Sequence, residues 1–305
     1  MLKKLKGTTI FLKSLRAEPL GAPAFICASS AIILLFLMLI FIVREGSQAF
    51  LNLGAELIIG AVWDTNAGRY GGLPLIYGSI IVVFVALAIA IPIGVASSIF
   101  ISEILPHPLR DPIKSIIELL ASIPSVIYGF IGLLFIAPRI ASLFGLSTGT
   151  VALTASITLA IMSTPTIVGV AGETIAAVPK EYKEAALALG ATRWQMIKGI
   201  VLPASKSGIL ASILLGFGRA IGETVAVLMV AGNTAIIPSP PWNILSPVYT
   251  LTAAIAMQMG EAAVGSLEYS ALFGLGLILF IIAFIVNTLA DVVVTREKAK
   301  IRGAG

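Results

Sequence analysis

One cysteine and one histidine, Cys27 and His107, are all that 305 residues contain, and they stand far apart. A lone cysteine excludes an internal disulfide and says nothing about redox compartment. Cys27 falls in an apolar run, where the expected role is that of a small buried hydrophobe. His107 has no second ligand or base near it in sequence. There is no H-E-x-x-H pair and no G-x-x-x-x-G-K-[ST] phosphate loop, so neither an intramembrane metalloenzyme nor ATP hydrolysis by this chain alone is expected. No metal or cofactor is expected on it.

Charge is scarce too. Only 11% of residues are Asp, Glu, Lys or Arg, against about a quarter in a soluble domain. What fills the space is apolar: 58% hydrophobic residues and a mean hydropathy of +1.05. The 29 glycines and 16 prolines fit as well, since both are commoner in membrane helices than in soluble ones. The composition is that of an integral membrane protein in a lipid bilayer.

Crossing a bilayer takes about 20 apolar residues, and six stretches qualify, near Ala22–Val43, Gly78–Ile101, Ser115–Ala137, Thr148–Ala171, Gly208–Ala231 and Ser270–Ala290. Glu118 would fall in the first turn of the third. The fold class is therefore all-α, with six transmembrane helices. The first run is longer than a signal-peptide core and reads as an uncleaved anchor.

Basic residues collect in cytosolic loops. With a cytosolic N-terminus, sixteen of the 20 Lys and Arg lie inside: Lys3, Lys4, Lys6, Lys13, Arg16, Arg110, Lys114, Lys180, Lys183, Arg193, Lys198, Lys206, Arg296, Lys298, Lys300 and Arg302. Arg44, Arg69 and Arg139 lie outside, and Arg219 lies within a span. Both termini are thus expected in the cytosol. The same asymmetry accounts for the net charge of +5 and the pI near 9.4, so no nucleic-acid partner is expected.

Residues 1–21 read as a basic cytosolic arm, 22–73 as the first transmembrane helix and an outer loop, 74–292 as the transmembrane core, and 293–305 as a cytosolic tail. Trp63, in the outer loop, and Trp242, between Gly232 and Pro247, are expected at the membrane interface. The second helix is expected to start near Gly78 and to kink at Pro92. Glu103–Lys114, with three prolines, reads as a tight cytosolic turn. Val248–Val264 holds Gln258 and Glu261 and is too polar for lipid. It is expected as an interfacial or re-entrant helix near the outer mouth.

The charged loop at 174–206 has an order of its own. Pro179 suits a first helical position and Gly190 the left-handed residue after a helix ends. Between them Tyr182, Ala185, Ala186 and Leu189 form one apolar stripe at i, i+3, i+4, i+7. Lys180, Glu181, Lys183 and Glu184 supply a polar face. A second short helix with Trp194, Ile197, Ile200 and Val201 follows, and Pro203 opens the fifth span. A helix this short does not hold itself folded in water. It packs either into a groove of another protein or, as a self-contained elbow, on the chain's own helix ends.

Arg219 and Glu223 lie near the middle of the expected fifth span. At i, i+4 they share a helix face and can pair. Each costs about 2.5–3.5 kcal/mol at a helix centre, so they face protein or a wet cavity. A guanidinium fork suits a tetrahedral oxyanion, while the plainer alternative is an ion pair locking helices. Gly218 with Gly222, and Ser212 with Gly216 and Ala220, make two small-residue rows that permit close helix approach. Ser122-Ile123-Pro124-Ser125 with Tyr128, and Ser163-Thr164-Pro165-Thr166, interrupt the third and fourth spans. Their hydroxyls satisfy backbone freed by proline or line an anion path, in which case Ser125, Tyr128 and Thr164 join Arg219 and Glu223.

The spacing EAA-x3-G-x9-I-x-L-P, carried by Glu184-Ala185-Ala186, Gly190 and Ile200-x-Leu202-Pro203, resembles the signature of the membrane subunits of ATP-driven, binding-protein-dependent importers. Ala121-Ser122-Ile123-Pro124-Ser125-Val126-Ile127-Tyr128-Gly129, Ala186 through Trp194, and Gly218-Arg219-Ala220-Ile221-Gly222-Glu223-Thr224 narrow the likeness. About residues 74–292 are similar to the permease subunits of phosphate-specific ATP-binding-cassette importers, most closely the C-type (PstC). The run from Gly218 to Val227, ending at Gly232-Asn233-Thr234, looks like the C-type rather than the sister A-type.

That resemblance implies the type I permease fold, a heterodimer with the A-type permease, two ATPase subunits that hold ATP and magnesium, and an external phosphate-binding protein. It implies a prokaryotic plasma membrane. On it, Glu184, Ala185, Ala186 and Gly190 belong to the coupling helix, with Pro203 closing the motif, and Arg219 and Glu223 match charges linked to phosphate passage. Other oxyanions (sulfate, molybdate, phosphonate) stay open as cargo. A secondary transporter or channel would need no such loop, and no clear inverted repeat is visible.

Overall fold

A computed structural model describes residues 21–303. The arm expected at 1–21 therefore lies, Gly21 apart, outside the described residues. Among the described residues, six helices are long and apolar enough to cross a membrane: Pro23–Leu53, Leu73–Ile104, Ser125–Phe144, Ala152–Ala176, Arg193–Gly222 and Leu267–Leu289.

Helix α1 (Gly21–Leu53) leads through α2 (Glu56–Ile59) to a hairpin of β1 (Trp63–Asp64) and β2 (Arg69–Tyr70). The Asp64 carboxylate accepts from the amides of Asn66 and Ala67 at 3.0 and 3.2 Å and so closes the turn. α3 (Leu73–Ile99) ends in a π-turn, Phe100–Ile104. α4 (His107–Ser122) and α5 (Ser125–Ile131) follow, and a second π-turn, Gly132–Ile136, runs into α6 (Ala137–Phe144). α7 (Ala152–Ala176) precedes α8 (Lys180–Ala188) and α9 (Arg193–Met196). A third π-turn, Ile197–Val201, enters α10 (Leu202–Gly222). The chain closes with α11 (Val225–Val230), α12 (Leu251–Gln258) and α13 (Leu267–Gly303).

The bundle is arranged around α7. α3 and α10 pack along it, α4, α5 and α11 also touch it, and α1 lies outside against α13. Side-chain chemistry explains the order. α1 is the most apolar span and its apolar window is wholly unburied, with Phe25 to Val43 bare for lipid. α7 is the least apolar and the most buried. Its hydroxyls would be costly in lipid, and several bond backward to their own helix. Ser156 donates to Ala152 O at 2.8 Å, Thr158 to Thr154 O at 2.8 Å and Thr164 to Ala160 O at 2.7 Å.

Several expectations are corrected here. Cys27 is exposed on α1 rather than buried, because α1 presents this part of its surface outward. Trp63 is buried rather than interfacial: its ring meets Tyr70 edge-on, and its indole N–H donates to Gln258 Oε1 at 3.0 Å. That bond joins the β1–β2 hairpin to α12, so the polar segment after Val248 is held in protein between α3 and α13. α3 starts at Leu73, not Gly78, with Pro92 inside it.

Glu103–Lys114 is no tight turn. The residues up to Ile104 extend α3, and His107 begins α4, an amphipathic helix that sets Ile113 and Ile117 on Ile101, Leu105 and Val168. Arg110 Nε donates to Leu105 O at 2.9 Å and so caps the π-turn. The third span consequently begins after Pro124, and Glu118 sits on α4, not in a first transmembrane turn. The fifth span is displaced likewise. It runs from Arg193 to Gly222 and stops where Glu223 turns extended, at φ −70° and ψ 129°.

Of the two small-residue rows on α10, one is packed against the chain itself among the described residues. Ser212, Gly216 and Ala220 are buried, and a methyl on Gly216 would come within 2.8 Å of Ile167. Gly218 and Gly222 face open space.

The seat of α12 depends on a glycine. A Cβ on Gly78 would lie 2.2 Å from the Tyr249 carbonyl oxygen, and next to it Ser79 Oγ accepts from Leu251 N at 2.8 Å. Gly78→Ala should therefore cost about 1–3 kcal/mol of stability, read as a lower unfolding temperature in detergent. Gly169→Ala, whose added methyl meets nothing within 4 Å, should not lower it.

Candidate functional site

Two constructions stand out, an exposed elbow between α7 and α10 and a polar junction where three helices meet.

The elbow is locally specified. Pro179 is the N-cap of α8, one place earlier than expected, with φ −55° and ψ 138°. At the other end Gly190 takes φ +85°, which a residue without Cβ adopts freely. The Gly190 amide donates to Leu187 O at 3.0 Å and the Ala191 amide to Ala186 O at 3.1 Å, the paired closure of a Schellman motif. Thr192 then opens α9 with a reciprocal capping box: its hydroxyl accepts from Gln195 N at 3.2 Å, and its amide donates to Gln195 Oε1 at 2.8 Å. Pro203 sits in the first turn of α10, directly after the π-turn Ile197–Val201.

The two halves of the elbow differ in what they touch. Met196, Ile197 and Val201 are buried against Ile175 and Val178, with Ala186 leaning on the same cluster. Tyr182, Leu187, Leu189 and Trp194 are exposed, and so are Glu184 and Ala185. Of the expected stripe, Ala186 alone turns inward. The second half is a self-contained elbow and the first half presents apolar side chains outward. Met196 and Val178, which anchor it, were not singled out from the sequence. An ion pair was missed as well: Lys183 Nζ donates to Glu103 Oε1 at 2.6 Å, across eighty residues of chain.

At the junction α4 stops at Ser122 because Pro124 offers no N–H and forces its predecessor out of helix. The last carbonyls of α4 then need donors. Tyr128 Oη donates to Leu120 O at 2.7 Å and Arg219 Nη2 to Ala121 O at 3.2 Å. Arg219 Nη1 donates to Thr166 Oγ1 at 3.1 Å, so one guanidinium joins α4, α7 and α10. Two of its five N–H donors are thereby used, and no other protein acceptor meets the remaining three among the described residues.

The expected Arg219–Glu223 pair does not form. α10 ends at Gly222, so the two residues no longer share a helix face. Glu223 instead accepts from Ala226 N at 3.2 Å and caps α11, while its carbonyl accepts from Thr252 Oγ1 at 2.9 Å. Arg219 lies in the last turn of its helix rather than at mid-span. Of the remaining pathway candidates, Tyr128 is buried beside the junction, Ser125 is half-buried in the first turn of α5, and Thr164 bonds to its own helix. Thr166 had been noted only as part of a proline-interrupted run. Toward the Lys114 end of α4, a cavity of about 150 Å³ separates it from α7, lined by Lys114, Glu118 and Glu173 among others.

The family described as "Binding-protein-dependent transport system inner membrane component" matches residues 90–301. The "Probable ABC transporter permease protein YqgH" of Bacillus subtilis is 38% identical over 264 residues, 85% of this chain and 84% of its own. The "Phosphate transport system permease protein PstC" of Haemophilus influenzae is 35% identical over 283 residues, 87% of this chain and 88% of its own. Among solved structures, a bacterial alginate ABC transporter in complex with its alginate pentasaccharide-bound periplasmic protein aligns with a TM-score of 0.60 at 18% identity, covering 91% of this chain and 94% of that one. That likeness is one of fold.

Gly190→Val tests the elbow. A β-branched residue resists positive φ, and strain of about 1–3 kcal/mol there should speed amide hydrogen exchange across residues 180–203 by about tenfold or more. Unchanged exchange would show that the left-handed residue does not hold the elbow.

Proposed function

This chain belongs to the family of binding-protein-dependent transport system inner membrane components, and from that premise we propose that it is the C-type permease subunit of an ATP-driven importer of inorganic phosphate. The observation that carries the cargo is the likeness, across more than four fifths of both chains, to proteins named as phosphate transport permeases. The protein is a multi-pass membrane protein. In the proposed assembly it pairs with an A-type sister permease, receives phosphate from an external binding protein, and rests on two ATPase subunits that bind and hydrolyse ATP. The surroundings are a prokaryotic plasma membrane, and the basic loops and both termini face the cytosol.

α8 is the coupling helix of this reading, with Glu184, Ala185, Ala186, Gly190 and Pro203 as its motif. What supports it is that Tyr182 and Leu187 on α8, and Leu189 at its C-cap, are exposed. Exposed apolar side chains on and beside a nine-residue helix with no buried residue call for a cover, because a helix that short is marginal by itself. An ATPase groove is the proposed cover. The open Gly218 and Gly222 row is proposed as a place for close approach by the sister permease.

For the pathway we assign Arg219 the anion-facing role. Its guanidinium is held on two sides by protein and keeps donors free, in the planar geometry that suits phosphate oxygens. Tyr128 orders the same helix end. Ser125 and Thr164 line the approach, and Glu223 shapes the field from the start of α11 instead of neutralising Arg219 directly.

The test is reconstitution of both permeases, the ATPase and the binding protein in liposomes. Phosphate uptake should require ATP and the ATPase chains, and phosphate-loaded binding protein should stimulate hydrolysis more than sulfate- or molybdate-loaded protein does. Uptake without any ATPase would overturn the reading, and preference for another oxyanion would reassign the cargo. Arg219→Ala, and equally Arg219→Lys, should abolish uptake while the four components still co-purify, since one ammonium does not replace a fork that bridges helices. Normal uptake in either variant would leave Arg219 as a helix tie only.

A further inference from the structure

None of the nine residues of α8 is buried, so the helix has few grips on the bundle beyond its flanking backbone. Ala186 leans on the cluster beneath the elbow. The other grip is Lys183, whose ammonium group meets the Glu103 carboxylate at 2.6 Å, with 16% and 6% of the two side chains exposed. Glu103 does not lie on a loop. It sits inside the π-turn that ends α3, where Leu105 N donates to Phe100 O at 2.9 Å across the widened turn. From the same turn Ser102 Oγ donates to Gly172 O of α7 at 3.1 Å. α7 in turn carries Thr166, which receives the Arg219 guanidinium.

We propose that the Lys183–Glu103 ion pair is a positioning strut. It passes displacement of α8 sideways into the end of α3 and, through Ser102, into α7, so that movement at the ATPase face reaches the helix that bears Thr166. This rests on the reading of α8 as the coupling helix. The pair suits the task because both charges are largely withdrawn from water, where breaking one partner leaves the other uncompensated. A rigid short contact between a helix and a π-turn also transmits a push in a direction that the peptide links at Pro179 and Gly190 do not constrain.

The experiment uses the reconstituted complex and measures phosphate taken up and ATP hydrolysed in the same vesicles, with co-purification of the ATPase scored alongside. Lys183→Met and Glu103→Gln should each lower the phosphate moved per ATP by about fivefold or more while hydrolysis continues. The double exchange Lys183→Glu with Glu103→Lys should restore most of that ratio. A ratio unchanged in the single variants, or a double exchange no better than the singles, would overturn the strut. Should a single variant fail to assemble, the double exchange must both assemble and couple, and its failure to do so also overturns the proposal. Absence of ATP-driven phosphate uptake by the wild-type complex is a different result and overturns the function instead.

Discussion

Helices α4 and α10 stop at Ser122 and Gly222, and the backbone groups released there need partners that lipid does not supply. In hydrocarbon an unsatisfied N–H or C=O costs several kcal/mol, so irregular backbone survives only against protein or a wet cavity. The centre of this structure meets that requirement with side chains both near and distant in the chain. Tyr128 and Arg219 take the adjacent carbonyls of Leu120 and Ala121, and Glu223 caps the next helix while its carbonyl receives Thr252. Arg219 and Glu223 are therefore structural groups first, and Arg219 alone of the two keeps N–H donors beyond the bonds it makes among the described residues.

Burial follows the same requirement. α7 is rich in hydroxyls and lies where protein surrounds it, whereas the apolar window of α1 is wholly unburied. α10 falls between these cases. It buries one row of small residues against α7 and, among the described residues, leaves open space where a Cβ on Gly218 or Gly222 would point. A protomer with such a face, and with an elbow that shows Tyr182, Leu187 and Leu189 to solvent, has the surface of one part of an assembly.

The two ends of the elbow illustrate how local and distant information divide. Gly190, the Thr192 capping box and Pro203 act within a few residues, so their roles are visible in the spacing of the chain. Which side of α8 faces inward is set by packing: Met196, Ile197 and Val201 fill the cluster, and Ala186 alone of the stripe reaches it. Lys183 looked like one of four solvated charges, yet its partner lies eighty residues earlier at the end of another span.

The sequence alone determined that the chain crosses a membrane six times, which loop carries the motif, and where glycine and proline punctuate that loop. Each depends on hydropathy, charge bias or φ, all of which act locally. Tertiary structure decided the rest. It cut the apolar runs at 115–137 and 208–231 into separate helices, moved Trp63 from the interface onto Gln258, and parted Arg219 from Glu223. The physical reason is that a continuous apolar run is compatible with one helix or two. The choice depends on partners at the break, and two of them, Arg219 at the Ala121 carbonyl and Thr252 at the Glu223 carbonyl, come from other helices and lie in no window of neighbouring residues.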